Sequence, residues 1–494
     1  MFRRLMDRLK GGQIRDLPHH GLYHDLEVNL SVLQDIFNLC FDVKYRRFKL
    51  NTEPAREACL IFIENLVEVR SLEEHVMGAL TKQVAPCHAD WDLMKTVCDS
   101  LVETLEISLE EEFEPTVNAI LNGSAVLLVD GVNQAVRMNV KQLERRAINE
   151  SDTETVIRGP RDAFVEVLSV NVTLLRRRLR TPALKLEKLR IGTMTRTDVV
   201  VAYLDGVAEP KIVAEVKSRL AKIDIDGVLE SAYIEEFMED VPWSPFPQID
   251  STERPDKVAA GLLEGQVAVL VDNTPFALLM PVTFFRFLFA SEDYYSRAIY
   301  ATFTRLVRFV ALNIALILPA TYVSIVTYHQ ELLPTSLLLS IAAGREPVPF
   351  PAFLEAFLME TTFEILREAG IRLPRPVGQA TSIVGALVIG NAAVSAGLVS
   401  PAMVIVVSLT ALASFIIPTP SGAFAIRLLR FPLMFFAAAL GFFGVMVALM
   451  AILTHLCTLR SFGVPYLSLL SPVHIKGLKD SFVRAPWWMM AKRR

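Results

Sequence analysis

The stretch that decides the fold is Phe431–Cys457, which reads FPLMFFAAALGFFGVMVALMAILTHLC. It contains no Lys, Arg, Asp or Glu and is longer than the roughly 20 residues that a helix needs to cross a bilayer. Toward the N-terminus, further apolar runs predict spans at Leu306–Thr327, Gly378–Gly397 and Ala402–Ile417. The sequence therefore predicts an α-helical multi-pass membrane domain over residues 301–462, followed by a basic C-terminal tail over residues 463–494.

The residues before the first span have a different composition. Residues 1–300 carry 35 Lys and Arg against 47 Asp and Glu, whereas residues 301–494 carry 15 against 7, giving net charges of −12 and +8. An acidic and highly charged region does not enter a bilayer. Met1–Lys10 lacks the apolar core of a secretory signal, so we expect a cytosolic N-terminal region and five reduced cysteines.

An internal repeat organises this soluble region. Ala119–Val140 and Gly261–Val282 align without gaps, so that Asp130 in the first copy corresponds to Asp272 in the second. Each copy predicts a helix that ends at a glycine and then two strands around an Asp-Gly or Asp-Asn turn, although helix–hairpin units also resemble one another by chemistry alone. We predict an α/β (α+β) region with a flexible tail at 1–20 and two related subdomains at 21–150 and 151–300.

The stretch between the first two spans has more than one interpretation. Pro349–Glu368 is partly apolar but carries Glu355, Glu360, Glu364 and Glu368, of which the last three lie roughly along one helical face. It is either a surface helix with a solvated acidic stripe, a re-entrant segment or extra span over 349–369 whose carboxylates line a cation path, or a subunit contact. Ionisable groups at membrane depth usually face water or a partner.

Two features of the spans themselves point to close packing. Pro319 lies inside the first span, where it removes a backbone donor and leaves a carbonyl that a neighbour must satisfy. Small residues recur four apart in the second and fourth spans, which allows helix backbones to approach closely. We expect the membrane domain to form a bundle or an oligomer.

Motifs of catalysis and cofactor binding are missing from the sequence. It contains no P-loop, GxGxxG, HExxH or GxSxG motif and no spacing typical of metal ligands. The basic run Arg176–Arg180 lies in an acidic region without interleaved aromatic residues. We predict that the chain is not an enzyme, has no cofactor or metal and binds no nucleic acid. The basic run is expected to meet lipid headgroups or an acidic neighbour, and the alternative is a solvated helix face.

Several blocks in sequence order resemble the A subunits of GerA-type nutrient germinant receptors of bacterial spores. The resemblance runs from about Arg158 to Arg484, and order and spacing both match. The main blocks are Arg158-Gly159-Pro160-Arg161, Tyr233-Ile234-Glu235-Glu236, Pro245-Phe246-Pro247-Gln248, Thr252-Glu253-Arg254-Pro255-Asp256, Asp293-Tyr294-Tyr295, Gly390-Asn391-Ala392-Ala393 and Val464-Pro465-Tyr466.

Two of these blocks also have a structural interpretation. Pro255 is suited to the first position of a helix, with Thr252 or Glu253 near its N-cap, and the Arg158–Arg161 block is expected to open the helix that contains Phe164–Leu179. Both sets are candidates for coupling between the cytosolic and membrane regions or for subunit contacts. The candidates are Arg158, Gly159, Pro160, Arg161, Glu253, Arg254, Pro255 and Asp256.

The resemblance implies a function. Such an A subunit forms a homo-oligomeric ring, expected to be pentameric, in the inner membrane of the spore and conducts cations when nutrient is sensed. Its partners are a transporter-like, nutrient-binding B subunit, a lipoprotein C subunit and membrane lipid. Candidate residues of the ion path are Glu355, Glu360, Glu364 and Asn391. The alternatives are a germination channel like the related stage V sporulation protein AF and a non-conducting scaffold.

Overall fold

The computed structural model describes residues 20–50, 55–68, 72–78, 106–141, 154, 156–372, 388, 390–468 and 483–490. The chain divides into two compact units, residues 1–240 with 249–281 and residues 241–248 with 282–494. Residues 282–300, assigned above to the second subdomain, thus belong to the unit that contains the apolar helices. The predicted N-terminal tail before residue 20, the predicted joint at residues 149–153 and most of the predicted span 378–397 lie outside the described residues.

The first sheet of the first unit has five antiparallel strands. The strands pair in the order β1-β2-β4-β5-β3. Helices α1 and α2 pack on this sheet through a core of aliphatic side chains. In chain order the elements are α1 (Leu26–Ile36), β1 (Val43–Lys49), β2 (Glu57–Ile63), a π-helical turn (Leu72–Met77), β3 (Ile107–Glu110), α2 (Phe113–Leu121), β4 (Ala125–Val129) and β5 (Ala135–Met138).

The second sheet of this unit repeats the same arrangement. Its strands pair antiparallel in the order β6-β7-β9-β10-β8, which corresponds strand by strand to the first sheet. The elements are α3 (Leu168–Arg178), β6 (Leu184–Ile191), β7 (Thr197–Leu204), α4 (Pro210–Ala221), α5 (Ser231–Met238), β8 (Asp250–Thr252), α6 (Pro255–Leu263), β9 (Val267–Val271) and β10 (Ala277–Met280).

Matching hydrogen bonds extend the repeat to the first helix of each subdomain. Asp130, in the turn between β4 and β5, accepts a hydrogen bond at Oδ1 from the backbone N–H of Leu26 at 3.3 Å. Asp272, its counterpart in the second copy, accepts one from Leu168 at 3.1 Å. In both copies the hairpin carboxylate therefore meets the N-terminus of the first helix, where backbone N–H groups are unpaired and negative charge is favourable.

The two subdomains meet at a buried ion pair. Arg176 on α3 donates from Nε and Nη2 to the two carboxylate oxygens of Asp42 at 2.7 and 2.9 Å. Beside it, Phe41 N–H donates to Leu186 O at 3.2 Å, and the Cys40 thiol contacts Leu184 O at 3.4 Å. Arg176 thus meets an acidic neighbour inside the chain, which is one of the surroundings considered for the basic run.

The second unit is helical. In chain order its elements are a 3₁₀ turn (Phe284–Leu288), α7 (Glu292–Tyr295), α8 (Ala298–Tyr328), a 3₁₀ turn (Gln330–Leu332), α9 (Thr335–Arg345), α10 (Ala352–Arg372), α11 (Pro401–Phe415), α12 (Pro420–Thr458), β11 (Arg460–Ser461), β12 (Val464–Pro465) and α13 (Trp487–Met490). By length and composition, two described helices, α8 and α12, are able to cross a membrane. The predicted span at 402–417 corresponds to the shorter apolar helix α11.

Helix α12 is interrupted near its centre. Gly441 adopts φ 61° and ψ −143°, so the helix consists of two segments that join at a kink. The hydroxyl of Tyr328, at the end of α8, donates to Ala438 O at 2.8 Å and approaches Ala439 O at 3.2 Å. It supplies a hydrogen-bond donor to carbonyls just before the kink, where helical pairing is lost.

Candidate functional site

Glu355 on α10 is a fully buried acidic group of the second unit. Its Oε1 accepts hydrogen bonds from the backbone N–H and the hydroxyl of Ser400, both at 2.5 Å. Ser400 is the N-cap of α11, so the carboxylate lies at the N-terminal end of a helix, where the helix dipole stabilises negative charge. Its Oε2 lies 3.8 Å from Nε of Arg345. Glu355 therefore joins α9, α10 and α11.

Glu360 lies a little more than one turn further along α10 and is equally buried. Its carboxylate accepts a hydrogen bond from Nη1 of Arg430 on α12. Nε of the same arginine donates to the carbonyl of Ala315 at 2.8 Å. Pro319 has no N–H, which leaves the Ala315 carbonyl, one turn earlier in α8, without its helical partner. Arg430 supplies the missing donor, and this agrees with the expectation that a neighbouring element satisfies the carbonyl left free by Pro319.

The acidic stripe of α10 becomes more exposed toward its C-terminus. The side chain of Glu360 is 0% exposed, that of Glu364 is 27% exposed and that of Glu368 is 60% exposed. Glu364 Oε1 lies 3.7 Å from Arg427 Nε, and Glu368 pairs with Arg372 on its own helix. The solvated-stripe interpretation fits Glu368, whereas Glu355 and Glu360 are interior groups.

Three of the four candidate ion-path residues lie on one helix. Glu355, Glu360 and Glu364 follow one another along α10, each beside an arginine of another helix. Asn391 is exposed. Within one chain, the arrangement places fixed positive charge next to each candidate carboxylate. Their role in ion passage stays a prediction.

The second candidate group centres on Arg254, which is the N-cap residue of α6. Its Nε and Nη2 donate to the carboxylate of Asp256 at 3.1 and 2.8 Å. Nη1 donates to Glu154 O and Nη2 to Pro160 O, each at 3.2 Å. Pro255 is the first helical residue, as predicted. One buried guanidinium thus ties the start of α6 to the segment around residues 154–160.

A buried lysine reinforces this attachment. Lys257 Nζ donates to Glu154 Oε1 at 2.9 Å and to Asp250 Oδ1 at 3.0 Å. Thr252 Oγ1 donates to the other Glu154 oxygen at 2.6 Å. Glu253 contributes through its carbonyl, which accepts from Phe164 N–H at 2.7 Å. The Thr252–Asp256 block is therefore a buried structural joint inside the first unit.

One prediction about the first of these blocks is wrong. Arg158, Gly159, Pro160 and Arg161 lie in an exposed loop, and α3 begins only at Leu168. The loop does not open the helix, because residues 162–167, which are not helical, separate the two. In the structure, the Pro160 carbonyl of this loop accepts a hydrogen bond from Arg254.

Comparison with known proteins decides the family. The family model described as Bacillus/Clostridium GerA spore germination protein matches residues 31–494. The chain belongs to the GerA family. It is 47% identical to the uncharacterized membrane protein YfkQ of Bacillus subtilis over 97% of this chain and 93% of that one. It is 44% identical to spore germination protein KA of the same organism, over 92% and 83%.

Two further comparisons cover different shares of this GerA-family chain. It is 39% identical to spore germination protein B1 of Bacillus subtilis over 95% of this chain and 96% of that one. A crystal structure of the N-terminal domain of the A subunit of the Bacillus megaterium spore germinant receptor GerK3 aligns at 31% identity with a TM-score of 0.44, covering 55% of this chain and 99% of that chain.

Sequence reasoning missed how two of the GerA blocks are used together. Ser461 Oγ donates to Gln248 O at 2.7 Å and accepts from Val282 N–H at 3.0 Å. The hydroxyl of Tyr466 donates to Pro247 O at 2.7 Å. The Pro245–Gln248 block is thus held by the short β11–β12 hairpin that follows α12. The two blocks lie far apart along the chain, and the proline-rich sequence carries no signal of its partner.

A third GerA block supplies the acidic partner of two arginines at the start of α8. Asp293 is buried and its carboxylate lies 3.1 Å from Arg305 Nε and 2.8 Å from Arg308 Nη1. Arg305 also stacks over the ring of Phe289, 4.3 Å from its centre. Both arginines belong to the N-terminal part of a helix long and apolar enough to cross a membrane. Asp293 offsets their charge where such a helix would begin.

Proposed function

We propose that this chain is the A subunit of a nutrient germinant receptor of the spore inner membrane. Family membership over residues 31–494 carries the proposal, and relatives named as spore germination proteins match most of both chains. By the same resemblance its partners are a nutrient-binding B subunit and a lipoprotein C subunit. The chain itself acts as a membrane component rather than as an enzyme.

Side chains of the second unit support a place in the membrane. Helices α11 and α12 expose many large apolar side chains that a water-soluble protein would bury. They include Ile405, Leu412, Phe435, Phe443, Met446 and Met450, each at least 60% exposed. Such a surface suits contact with lipid or with further copies of the chain. We place several membrane passes here, with the first unit in the cytosol.

For mechanism, we propose that a homo-oligomer, expected to be a pentamer, conducts cations and that the described arrangement is its resting form. Glu355 and Glu360 are fully buried beside Arg345 and Arg430. A cation path along these carboxylates requires the arginines to move away, since a fixed positive charge repels a passing cation. Nutrient sensing would then act by separating ion pairs.

Potassium flux tests this mechanism. The full chain, co-assembled with its B and C subunits in liposomes, should lose about tenfold or more of its nutrient-triggered flux when Glu360→Gln or Glu355→Gln removes a buried carboxylate. Glu368→Gln, on the exposed end of the same helix, is the matched control and should leave flux unchanged. In spores, Glu360→Gln and Glu355→Gln should slow the nutrient-triggered loss of optical density, whereas Glu368→Gln should not.

Two results would decide against parts of the proposal. Spores that lack the chain and still respond to every nutrient would remove the receptor role. Absence of flux in every assembly, with normal germination of the Glu360→Gln and Glu355→Gln spores, would leave the chain as a scaffold without conduction of its own.

A further inference from the structure

Helices α10 and α12 face each other through a ladder of ion pairs. Glu360 pairs with Arg430, and Glu364 lies 3.7 Å from Arg427. The acidic residues advance along α10 while the basic residues go back along α12, so the two helices run antiparallel at this seam. Spacings of four and three positions keep each row on one helical face.

The next rung of this ladder has a cation on one side and no anion on the other. Arg367 is about one turn beyond Glu364, and the register of the first two rungs assigns Phe424 to the opposite position. Arg367 stacks on Phe415 of α11, with its guanidinium carbon 4.6 Å from the ring centre. The nearest further acid on α10, Glu368, is paired with Arg372. The seam therefore holds three guanidinium groups against two carboxylates.

The same arginines have buried donors without acceptors. Among the residues that the structure describes, Nη1 of Arg367, Nε of Arg427 and Nη2 of Arg430 are buried and have no hydrogen-bond partner. A buried polar group without a partner is costly, and more so when it is charged. The sequence of residues 373–389 contains no Asp or Glu that would supply an acceptor from the segment following α10.

We propose that Arg367 and Arg427 bind an oxyanion of the phosphate type, provided by a phospholipid headgroup or by inorganic phosphate. Planar guanidinium groups present parallel N–H donors that match two oxygens of a phosphate. Phe415 lies under one guanidinium, and Phe424 lies 5.5 Å from the other, so an aromatic ring packs against each guanidinium. The anion neutralises the unmatched charge and completes the third rung.

A cationic excess explains why an anion rather than a cation is the ligand. Glu364 is the only carboxylate beside Arg427 among the described ion pairs, and it is 3.7 Å away, beyond hydrogen-bond distance. Glu360 is bonded to Arg430 through Oε2, while its Oε1 has no hydrogen-bond partner among the described residues. The charges of Arg427 and Arg430 repel the Arg367 guanidinium, whereas the charge of Glu364 attracts it. A bound phosphate would relieve this repulsion and link α10, α11 and α12.

Thermal unfolding of the full-length protein in neutral detergent tests the site. One arm adds phosphatidylglycerol to the micelles, with phosphatidylcholine as the uncharged-headgroup control. A second arm adds inorganic phosphate, with chloride at equal ionic strength as the control. We expect the unfolding midpoint to rise with the phosphate-bearing anion. A rise with phosphatidylglycerol alone assigns the site to lipid, and a rise with inorganic phosphate assigns it to a free oxyanion.

Two variants and one control locate the effect. Arg367→Gln should weaken binding about tenfold or more, the loss of one charge-assisted contact. Phe424→Glu places a carboxylate opposite Arg367 and should abolish the anion-dependent rise while the protein stays folded. Arg372→Gln, on the exposed end of α10, should change binding less than about twofold.

The proposal is overturned if neither anion raises the midpoint of the unmodified protein. It is equally overturned if the rise survives Phe424→Glu, because the site would then lie elsewhere. Phe424 is 56% exposed, so this variant keeps the test informative even if Arg367→Gln does not fold.

Discussion

Buried charges are handled differently in the two compact units. In the first unit, Arg176 gives two hydrogen bonds to Asp42, and Arg254 gives two to Asp256. In the second unit, Glu355, Glu360 and Arg430 each keep one buried polar atom without a hydrogen-bond partner among the described residues. These two pairs of the first unit join guanidinium to carboxylate through both oxygens, whereas Glu355 and Glu360 each meet an arginine through one oxygen. Asp293 is the exception in the second unit, because Arg305 and Arg308 together bond both of its oxygens.

This difference has a physical consequence. A two-bond guanidinium–carboxylate pair fixes distance and plane together, and leaving either group alone in the interior is strongly unfavourable. A carboxylate that is bonded through one oxygen keeps its second oxygen able to accept a new hydrogen bond before the existing one breaks. The two-bond pairs therefore fix the arrangement of the first unit more tightly than the one-oxygen contacts of Glu355 and Glu360 fix that of α10.

The largest effect should follow from breaking the Arg176–Asp42 ion pair between the two subdomains. Arg176→Ala leaves the Asp42 carboxylate buried without its cation, and we expect a loss of about 3–5 kcal/mol in the free energy of unfolding of the first unit. Denaturant titration of the full chain in detergent, followed by proteolysis of the cytosolic unit, measures this loss.

The control for that variant lies on the same arginine run. Arg180 is exposed and donates to Asn122 Oδ1, so Arg180→Ala should stay within about 0.5 kcal/mol of the parent. Equal effects of the two substitutions would show that the pair with Asp42 does not hold the subdomains together.

Glu235, in the first unit, is a carboxylate with other negative charges around it rather than a partner cation among the described residues. Burial raises the pKa of Glu235 from 4.5 to about 7, and the like charges of Glu239, Glu230 and Asp250 add to the shift. Below pH 4.5 the group is neutral in the folded and unfolded states and carries no penalty. As pH rises to 7 the unfolded state loses the proton first, so stability falls through this window.

We expect this fall to be about 1–3 kcal/mol between pH 4.5 and 7 and to disappear in Glu235→Gln. The exposed neighbour Glu236 provides the control, because Glu236→Gln should keep the parent pH profile. Unfolding midpoints measured across this range check both. A profile that is the same in the parent and in Glu235→Gln would place the titrating group elsewhere.

The sequence predicts local features better than long-range partners. The hairpin repeat is visible because its side chains recur at a fixed offset, and the structure carries that offset through to Asp130 and Asp272. Pro255 is correctly placed because proline favours the first helical position. The prediction of a helix start at Arg158–Arg161 is wrong, since a Gly-Pro pair is equally compatible with an exposed turn.

The partners of the candidate site were beyond such reasoning. The helical period shows that Glu360 and Glu364 share a face, but their partners Arg430 and Arg427 belong to a helix much later in the sequence. Nothing in the local pattern distinguishes a carboxylate that faces an arginine from one that faces water. Pro319 does predict an unsatisfied carbonyl, but only the fold identifies Arg430 as its donor.

The smallest predicted effect concerns that carbonyl and tests whether single contacts in the second unit are truly shared. Pro319→Ala restores an N–H to α8, which can then pair with Ala315 O. Arg430→Met removes both the donor to Ala315 and the partner of Glu360. If Arg430 donates to the Ala315 carbonyl, Arg430→Met should lower the free energy of unfolding by about 1 kcal/mol less in the Pro319→Ala background than in the parent.

A double-mutant cycle on the full chain in detergent measures this coupling from the free energies of unfolding. Arg372→Gln combined with Pro319→Ala is the control pair and should add within about 0.5 kcal/mol, because Arg372 is exposed and bonded to Glu368. Zero coupling between Arg430→Met and Pro319→Ala would mean that the hydrogen bond from Arg430 to the Ala315 carbonyl does not stabilise the fold. Arg430 would then be a partner of Glu360 alone, and the contrast between the two units would rest on the carboxylates rather than on the arginine that joins α8, α10 and α12.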